Sequence, residues 1–166
     1  KAGITKVALV TGGSSGIGKA VCEKLANEGY EVYEFSRRER DSQPDIRHIS
    51  CDVTDEVAVR QSVDQIIAQS GKIDLLVNNA GFGISGAVEF TDVDEAKRLF
   101  DVNFFGNVIV TKAVVPHMRE RGCGKIINIS SVAGDLSIPY QSFYSAGKAA
   151  INSLTLALRN ELKAFN

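Results

Sequence analysis

The stretch KVALVTGGSSGIG, residues 6–18, decides the fold of this chain. Its apolar run ends in glycines, and a segment of helical period begins within the same turn. Apolar residues recur on one helical stripe from Ile17 to Leu25, which predicts a helix over 16–28. The run over 6–12 is short and apolar on both faces, as strands buried between two helix layers are. The stretch therefore indicates a strand, a glycine turn and a helix in immediate succession.

The glycine turn is suited to holding a phosphate group. Its spacing is G-x-x-x-G-x-G, set by Gly12, Gly16 and Gly18. Glycines allow close approach of the backbone to a ligand, and a helix N-terminus offers N–H groups and partial positive charge to an anion. Such a turn after the first strand of a parallel sheet lies where these folds bind nucleotides. We therefore expect a dinucleotide on this loop, although a glycine turn can also serve strand–helix packing.

The rest of the chain alternates short apolar runs with longer segments of helical period. This order predicts an α/β fold with a doubly wound, mostly parallel sheet, Rossmann-like, and helices on both faces. The further strands are predicted over 31–36, 46–51, 73–80 and 125–131, and the further helices over 54–69, 92–120 and 142–164. Thr91 and Asp94 resemble a capping box that opens the long third helix. We interpret residues 1–166 as a single dinucleotide-binding domain.

Composition excludes several classes of function. The formal net charge is −1, which gives no overall attraction to nucleic acid or to an anionic membrane. No uninterrupted apolar run approaches the length of a membrane span. Three widely spaced cysteines without paired histidines indicate neither a disulfide framework nor a metal site. We therefore expect a reducing, cytoplasmic setting and no metal, nucleic-acid or membrane partner.

The end of the second predicted strand bears on the choice of cofactor. Proteins of this fold that bind NAD place an acidic residue there for the ribose 2′-hydroxyl. This chain has Ser36, Arg37 and Arg38 instead. A hydroxyl and guanidinium groups donate hydrogen bonds to a 2′-phosphate, which a carboxylate would repel. The sequence thus favours NADP(H), while Glu34 leaves NAD(H) possible.

Six motifs in order resemble the short-chain dehydrogenase/reductase family. They are TGGSSGIG (11–18), the aspartate of CDVT (51–54), NNAG (78–81), the asparagine of DVNFFG (101–106), NISS (128–131) and YSAGK (144–148). The resemblance covers essentially the whole chain. Members of this family normally run to roughly 250 residues with two further strands, and the last helix here is still in phase at LKAFN. We therefore expect the domain to be incomplete at its C-terminus, with the final strands missing.

The resemblance implies an oxidoreductase that moves a hydride between a nicotinamide and a carbonyl or secondary alcohol. It makes Tyr144 the acid/base, Lys148 its activator and a ribose ligand, Ser131 the hydroxyl that orients the carbonyl, and Asn103 the support of a water relay. Positions 144 and 148 are one helical turn apart, so the ammonium would lie near the phenol and stabilise its phenolate. The chemistry and the spacing therefore agree.

The cofactor residues predicted from the loop, the second strand and the resemblance form one set. Its members are Gly12, Ser14, Ser15, Gly16, Ile17, Gly18, Ser36, Arg37, Arg38, Asp52, Val53, Asn79, Ala80, Gly81, Tyr144 and Lys148. Relatives also pair the helices corresponding to 92–120 and 142–164 across a two-fold axis, which implies a homodimer or homotetramer. Phe100, Phe104 and Phe105 would supply apolar surface for that contact or would face the domain's own core.

Two other functions are compatible with the same fold. The chain could be a non-catalytic nucleotide-binding or scaffolding protein, although a scaffold has no need of the four catalytic residues. A methyltransferase would not require the tyrosine, the lysine and NNAG together. The substrate of the predicted oxidoreductase is not determined by these residues beyond a small-molecule carbonyl or alcohol.

Overall fold

The chain folds into a five-stranded parallel sheet of order β3-β2-β1-β4-β5. The computed structural model describes residues 5–39 and 43–165. The strands are β1 (Val7–Thr11), β2 (Glu31–Ser36), β3 (Ile46–Ser50), β4 (Leu75–Asn78) and β5 (Lys125–Asn128). The helices are α1 (Gly16–Asn27), α2 (Glu56–Ser70), α3 (Val93–Phe100), α4 (Asn107–Arg121) and α5 (Ser142–Leu162). The predicted α/β class, parallel sheet and element order are confirmed.

Alternate residues of the central strand enter two different cores. Val7 and Leu9 belong to the larger cluster, which includes apolar residues of α2 and α4. Ala8 and Val10 belong to the smaller cluster, against which Val21, Leu25 and Ala26 of α1 pack. A strand with period 2 places neighbours on opposite faces, so β1 is apolar on both. The helices therefore cover both faces of the sheet, as predicted.

The strand order reverses at β1, where the cofactor crevice of such folds opens. β1 pairs in parallel with β2 on one side and with β4 on the other. The chain first winds from β1 to β3 and then returns to the opposite side for β4 and β5. Ligands of open α/β sheets bind beyond the carboxyl ends of the strands at this switch point. The glycine turn after β1 lies at that edge.

The predicted helix over 92–120 is not one regular α-helix. α3 ends at Phe100, the next six residues, Asp101–Gly106, form a π segment, and α4 begins at Asn107. π segments insert an extra residue per turn and occur frequently at functional sites. Here the segment contains Asn103. Sequence period alone does not mark such an insertion, because the apolar stripe continues on both sides of it.

The predicted capping box at the start of that helix is wrong. Asp92 is the N-cap residue of α3, and its carboxylate accepts a hydrogen bond from the Asp94 amide at 2.7 Å. The Thr91 hydroxyl instead donates to the Ala87 carbonyl at 2.8 Å. Thr91 is therefore the C-cap residue of the preceding 3-10 turn, Val88–Phe90. The helix therefore begins one residue later than the capping pattern indicated.

Asp74 ties the amino ends of β1 and β4 together. Its carboxylate accepts from the Val7 amide at 2.8 Å and from Arg121 at 2.7 Å, and lies 3.1 Å from the Lys72 ammonium. Burial alone would raise the pKa of Asp74, but the Val7 amide, Arg121 and Lys72 together lower it below its ordinary value. The ionised carboxylate is therefore the form that the fold stabilises.

The run from Val93 to Arg121 has the length and apolar composition of a membrane span. Among the described residues it is the one helical run that meets these criteria, and charged side chains interrupt its apolar sequence. In the fold, Leu99, Val110 and Val114 of this run are fully buried in the protein. Core helices pass the same test of length and composition, so the hydropathy of this run follows from its packing.

Candidate active site

The glycine loop approaches its neighbours too closely for side chains. A Cβ on Gly18 would lie 2.1 Å from the Gly12 carbonyl oxygen and 2.4 Å from the Asn79 amide nitrogen. Gly12 itself has φ of +66°, a conformation that L-residues rarely adopt. The predicted roles of these glycines in a tight turn therefore have a steric basis.

The N-terminus of α1 presents backbone donors next to this loop. Ser15 occupies the N-cap position and makes no side-chain cap hydrogen bond within the described chain. Ser15, Gly16 and Ile17 are exposed, whereas Ser14 is half-buried. The first N–H groups of a helix carry partial positive charge, so a phosphate can accept from them here. Together with the close glycine approach, this arrangement fits a dinucleotide pyrophosphate.

Asn79 holds the loop from below. Its side-chain amide donates to the Thr11 and Gly12 carbonyls, both at 3.2 Å, while the Asn79 and Ala80 amides donate to the Thr11 hydroxyl, both at 3.0 Å. Its amide group fixes the end of β1 to the end of β4 beneath the loop. The predicted contact of Asn79 with a cofactor ribose stays a prediction. The Thr11 hydroxyl was missed, and its signal is a hydroxyl residue directly before the glycines.

The Asn78 side chain joins neighbouring elements of the sheet layer. Its amide donates to Asn128 Oδ1 of β5 at 2.9 Å and to the Thr111 hydroxyl at 3.1 Å. Asn128 also accepts from Asn107 at 3.0 Å and donates to Thr155 of α5 at 2.8 Å. This polar network joins β4, β5, α4 and α5 at the edge where the strands end.

The predicted adenosine end lies at the carboxyl ends of β2 and β3. Ser36 is half-buried, and Arg37 and Arg38 are exposed beyond the end of β2. Two bonds hold this turn in place: the Ser50 hydroxyl donates to the Arg37 carbonyl at 3.2 Å, and the Cys51 amide donates to the Ser36 carbonyl. Both guanidinium groups are therefore carried on a backbone anchored to β3.

Asp52 and Val53 follow β3 on the other side of the crevice. One Asp52 carboxylate oxygen accepts from both the amide and the hydroxyl of Thr54, at 2.9 and 2.8 Å. The Val53 side chain is 7% exposed and belongs to the larger core cluster. The contact of Val53 with adenine stays a prediction.

Asn103 clamps the loop after β4 to the π segment. Its Oδ1 accepts from the Phe82 amide at 3.0 Å, and its Nδ2 donates to the Phe82 carbonyl at 2.8 Å. The side chain is 3% exposed, and a Cβ on Gly81 would lie 3.0 Å from Asn103 Oδ1. Because both ends of the amide are engaged, the side chain fixes the loop and any water relay would involve the backbone instead. Phe82, the partner, was missed because it contributes only backbone atoms.

Tyr144 and Lys148 lie on the same side of α5. The Lys148 ammonium is 5.7 Å from the centre of the Tyr144 ring and donates to the Ile129 carbonyl just beyond β5, at 2.8 Å. Lys148 is only 7% exposed, and this burial lowers the pKa of its ammonium. A Cβ on Gly83 would lie 3.8 Å from the Tyr144 ring. The pair therefore stands at the same strand edge as the glycine loop, bounded by the segment that follows β4.

Ser130 and Ser131 differ in how their hydroxyls are engaged. Ser131 Oγ accepts from the Ala133 amide at 3.1 Å as the cap of a short 3-10 turn, Val132–Gly134. Ser130 Oγ donates to the Lys148 carbonyl at 3.4 Å. Because Ser131 accepts, its own proton remains available for a ligand carbonyl, whereas the Ser130 proton is directed into the helix.

A groove elsewhere in the chain is separate from this edge. Its volume is about 580 Å³, and it lies between β5 and the C-terminal parts of α4 and α5. Its walls include Met118, Ile126, Leu158 and Phe165, and none of the predicted site residues lines it. The strand ends, rather than this groove, therefore mark the candidate active site.

The chain belongs to the short-chain dehydrogenase family. The family model described as short chain dehydrogenase matches residues 6–166. This result agrees with the parallel sheet, the glycine loop at its switch point and the tyrosine and lysine one turn apart. Two solved structures that the chain resembles hold NADP and NAD⁺, respectively.

Individual relatives align with almost all of the chain. It is 45% identical over 161 residues to the 3-ketodihydrosphingosine reductase of Bacteroides thetaiotaomicron, covering 97% of this chain and 60% of that protein. The structure of ElxO with NADP bound superposes with a TM-score of 0.93 at 31% identity, covering 97% of this chain and 69% of ElxO. NAD⁺-bound xylitol dehydrogenase gives 0.93 at 33% identity, covering 99% and 68%. The chain thus spans about 60% of the length of the curated relative.

Proposed function

We propose that the protein carrying this chain is an NADP(H)-dependent oxidoreductase that interconverts a ketone and a secondary alcohol, with Tyr144 as acid/base. The observation that carries the proposal is the buried Lys148 ammonium, 5.7 Å from the Tyr144 ring centre at the strand edge. When bound, the nicotinamide supplies or accepts the hydride. The residues of the chain then have to donate a proton to the substrate oxygen and stabilise the negative charge that develops on it.

Tyr144 transfers the proton. Carbonyl reduction leaves an alkoxide that must be protonated as it forms, and the phenol is the donor on α5 next to Lys148. An ammonium held within a turn in a partly dry cleft stabilises the phenolate. Lys148 therefore makes proton donation near neutral pH easier.

Ser131 and Asn103 complete the arrangement in different ways. Ser131 has a hydroxyl proton to donate to the substrate oxygen, because its oxygen already accepts from Ala133. Asn103 positions the loop at Phe82 through both ends of its amide, and the π segment holds this side chain in place. We assign Ser131 to the substrate and Asn103 to positioning.

The cofactor preference follows from charge at the end of β2. Arg37 and Arg38 are exposed there, and position 36 carries a hydroxyl. Guanidinium groups favour a 2′-phosphate over a hydroxyl. ElxO, a similar structure, holds NADP. In the natural protein, Arg37→Ala should lower the NADPH over NADH preference by about tenfold, and an unchanged preference would refute the assignment.

The substrate class is proposed from one relative and one apolar segment. The relative from Bacteroides is named as a reductase of 3-ketodihydrosphingosine, a ketone on a long alkyl chain. Between Ser131 and Tyr144 the chain exposes Val132, Leu136, Ile138 and Tyr140. Exposed apolar residues that follow each other in one segment indicate a binding surface. We therefore propose a ketone that carries an apolar chain.

The decisive experiment compares the effects of removing the hydroxyl of Tyr144 and that of Tyr140, four residues earlier. NADPH oxidation would be followed in the natural protein with a panel of long-chain and short-chain ketones, together with equilibrium binding of NADPH. Tyr144→Phe should abolish turnover and leave NADPH binding within about twofold. Tyr140→Phe, which removes an exposed hydroxyl from the same segment, should keep the activity. NADPH binding without turnover on any ketone would instead favour a non-catalytic nucleotide-binding protein.

We also propose that two copies associate through the helices 93–121 and 142–162 in the cytoplasm. Phe105 is 51% exposed and Leu156 is 63% exposed on these helices, while Phe100 and Phe104 are partly buried. Sedimentation of the natural protein should give a dimer or tetramer that Phe105→Ser weakens. A monomer at micromolar concentration would contradict the proposal.

A further inference from the structure

A buried ionisable pair lies between β2 and β3, beneath the proposed adenosine site. Glu34 and His48 are register partners in these parallel strands. Glu34 Oε1 and His48 Nδ1 are 2.5 Å apart, and the two side chains are 0% and 4% exposed. A carboxylate in the interior of a sheet is costly unless it is hydrogen-bonded. The pair was not predicted, although a glutamate inside the apolar run EVYEFS was a signal for it.

The pair belongs to a row that leads to the crevice. Val32, Glu34 and Ser36 alternate onto one face of β2, and their register partners on β3 are Ile46, His48 and Ser50. Val32 and Ile46 lie in the core cluster that α1 covers. The row thus changes from apolar to ionisable to hydroxyl as it approaches the carboxyl edge.

Glu34 also touches the glycine loop and Ser36. A Cβ on Gly13 would lie 2.6 Å from Glu34 Cβ and 3.2 Å from Glu34 Oε2. The Ser36 hydroxyl donates to Glu34 Oε1 at 3.3 Å and lies 3.5 Å from His48 Nδ1. The carboxylate is therefore packed directly under the phosphate loop and beside the hydroxyl that we assign to the 2′-position.

We propose that His48 is a specificity-determining positioning residue, which holds the Glu34 carboxylate within the sheet so that the ribose pocket presents Ser36 and the arginines. The inference rests on the proposed NADP(H) function. Residues two apart on a strand are separated by about 7 Å, so Glu34 lies one side-chain length below the ribose position. A carboxylate near the ribose accepts from the 2′-hydroxyl of NAD and repels the 2′-phosphate of NADP.

The consequence is a selective effect on one cofactor. Without the imidazole, Glu34 loses a hydrogen-bond donor on β3, and its carboxylate shifts toward the pocket above Ser36. This shift brings the negative charge closer to a bound 2′-phosphate than the roughly 7 Å of the wild type, and the added repulsion in a partly dry cleft weakens binding by about tenfold. NADH, which lacks that phosphate, escapes the repulsion. A merely structural loss would weaken both cofactors alike.

The test measures equilibrium binding of NADPH and NADH to the natural protein. His48→Leu should lower the ratio of NADPH to NADH affinity about tenfold. Adding Glu34→Gln in the same chain removes the charge and should return the ratio to the wild-type value or above it. The matched control is Arg47→Gln, which breaks the exposed pair with Glu31 at 3.0 Å on the same two strands and should leave the ratio unchanged.

Several results would overturn the inference. Equal weakening of both cofactors in His48→Leu, or failure of Glu34→Gln to restore the ratio, would show a purely structural role. If His48→Leu does not fold, Glu34→Gln alone keeps a hydrogen-bonding side chain beside His48 and should raise the NADPH preference at least twofold. An unchanged ratio in that variant would refute the inference. A wild-type protein that binds neither dinucleotide would instead refute the proposed function.

Discussion

Replacing Gly18 by alanine tests the geometry of the whole glycine loop. Gly18 is buried in the first turn of α1, and an added Cβ would lie 2.1 Å from the Gly12 carbonyl oxygen. Ordinary carbon–oxygen contacts are about 3.3 Å or more, so the loop and the helix must separate by roughly 1 Å. The same Cβ would lie 2.4 Å from the Asn79 amide nitrogen that anchors the loop. No flexible side-chain end can absorb this displacement alone.

The expected magnitude combines three contributions. Alanine is the better helix residue by about 1 kcal/mol, which favours the variant. Overpacking of a rigid contact costs about 1–3 kcal/mol or more, and loss of the Asn79 hydrogen bond to Gly12 costs about 1 kcal/mol. The penalties exceed the gain, so Gly18→Ala should lower the free energy of unfolding by about 2 kcal/mol. Displacement of the loop should also weaken NADPH binding at least tenfold.

The assay is urea unfolding of the natural protein, paired with NADPH titration. Gly16→Ala is the matched control, because Gly16 has φ of +51° but no atom within 4 Å of an added Cβ. That variant should lose only about 1 kcal/mol, from backbone strain. A Gly18→Ala protein that is as stable as the wild type, or loses less than Gly16→Ala, would show that the close approach does not exist.

Three further outcomes follow from the buried polar groups. Because burial lowers the pKa of Lys148, the unfolded chain holds that proton to higher pH, and stability should rise as pH increases toward 10.5. Lys148→Met should raise the unfolding free energy at neutral pH by about 1 kcal/mol, flatten that rise and abolish turnover; a loss of stability would contradict this. Asp74 has a lowered pKa, so its stabilisation is present above 3.8 and is lost as pH falls through the folded value. Asp74→Asn should lower the free energy of unfolding by about 1–2 kcal/mol at neutral pH, and by much less at a pH below the folded pKa of Asp74. An equal loss at both pH values would contradict the ionised state of Asp74. Asn103→Leu leaves the Phe82 amide and carbonyl without their partner and should cost about 2–4 kcal/mol in urea, and a change below about 0.5 kcal/mol would refute the clamp.

Sequence reasoning was accurate where the signal is local. The strand, turn and helix around residues 6–18 are specified by apolar period and by glycines within one short stretch. The alternation of strands and helices then determines a parallel sheet. Consecutive parallel strands need a long connection, usually a helix, and this crossover is almost always right-handed. Lys148 lies beside Tyr144 because positions four apart on a helix are neighbours. These statements require only the chain's own spacing.

The contacts within the candidate site could be predicted less completely than the fold. The amides of Asn79 and Asn103 bond the Gly12 carbonyl and the Phe82 backbone, contacts that the motifs do not indicate. The Val53 side chain belongs to a core cluster, which its motif does not indicate either. In each case a polar or apolar residue next to the site is used to hold the backbone of another element. Motif spacing shows which residues are near the cofactor and not which atoms remain free to bind it.

The sequence by itself therefore determined the element order, the parallel sheet, the glycine loop and the helical pairing of tyrosine with lysine. Only the tertiary structure decided the π segment at Asp101–Gly106, the cap at Asp92 and the burial of Glu34 against His48. Periodicity is set by neighbours within a turn or a strand, whereas hydrogen-bond partners and burial are set by residues that meet only when the sheet assembles.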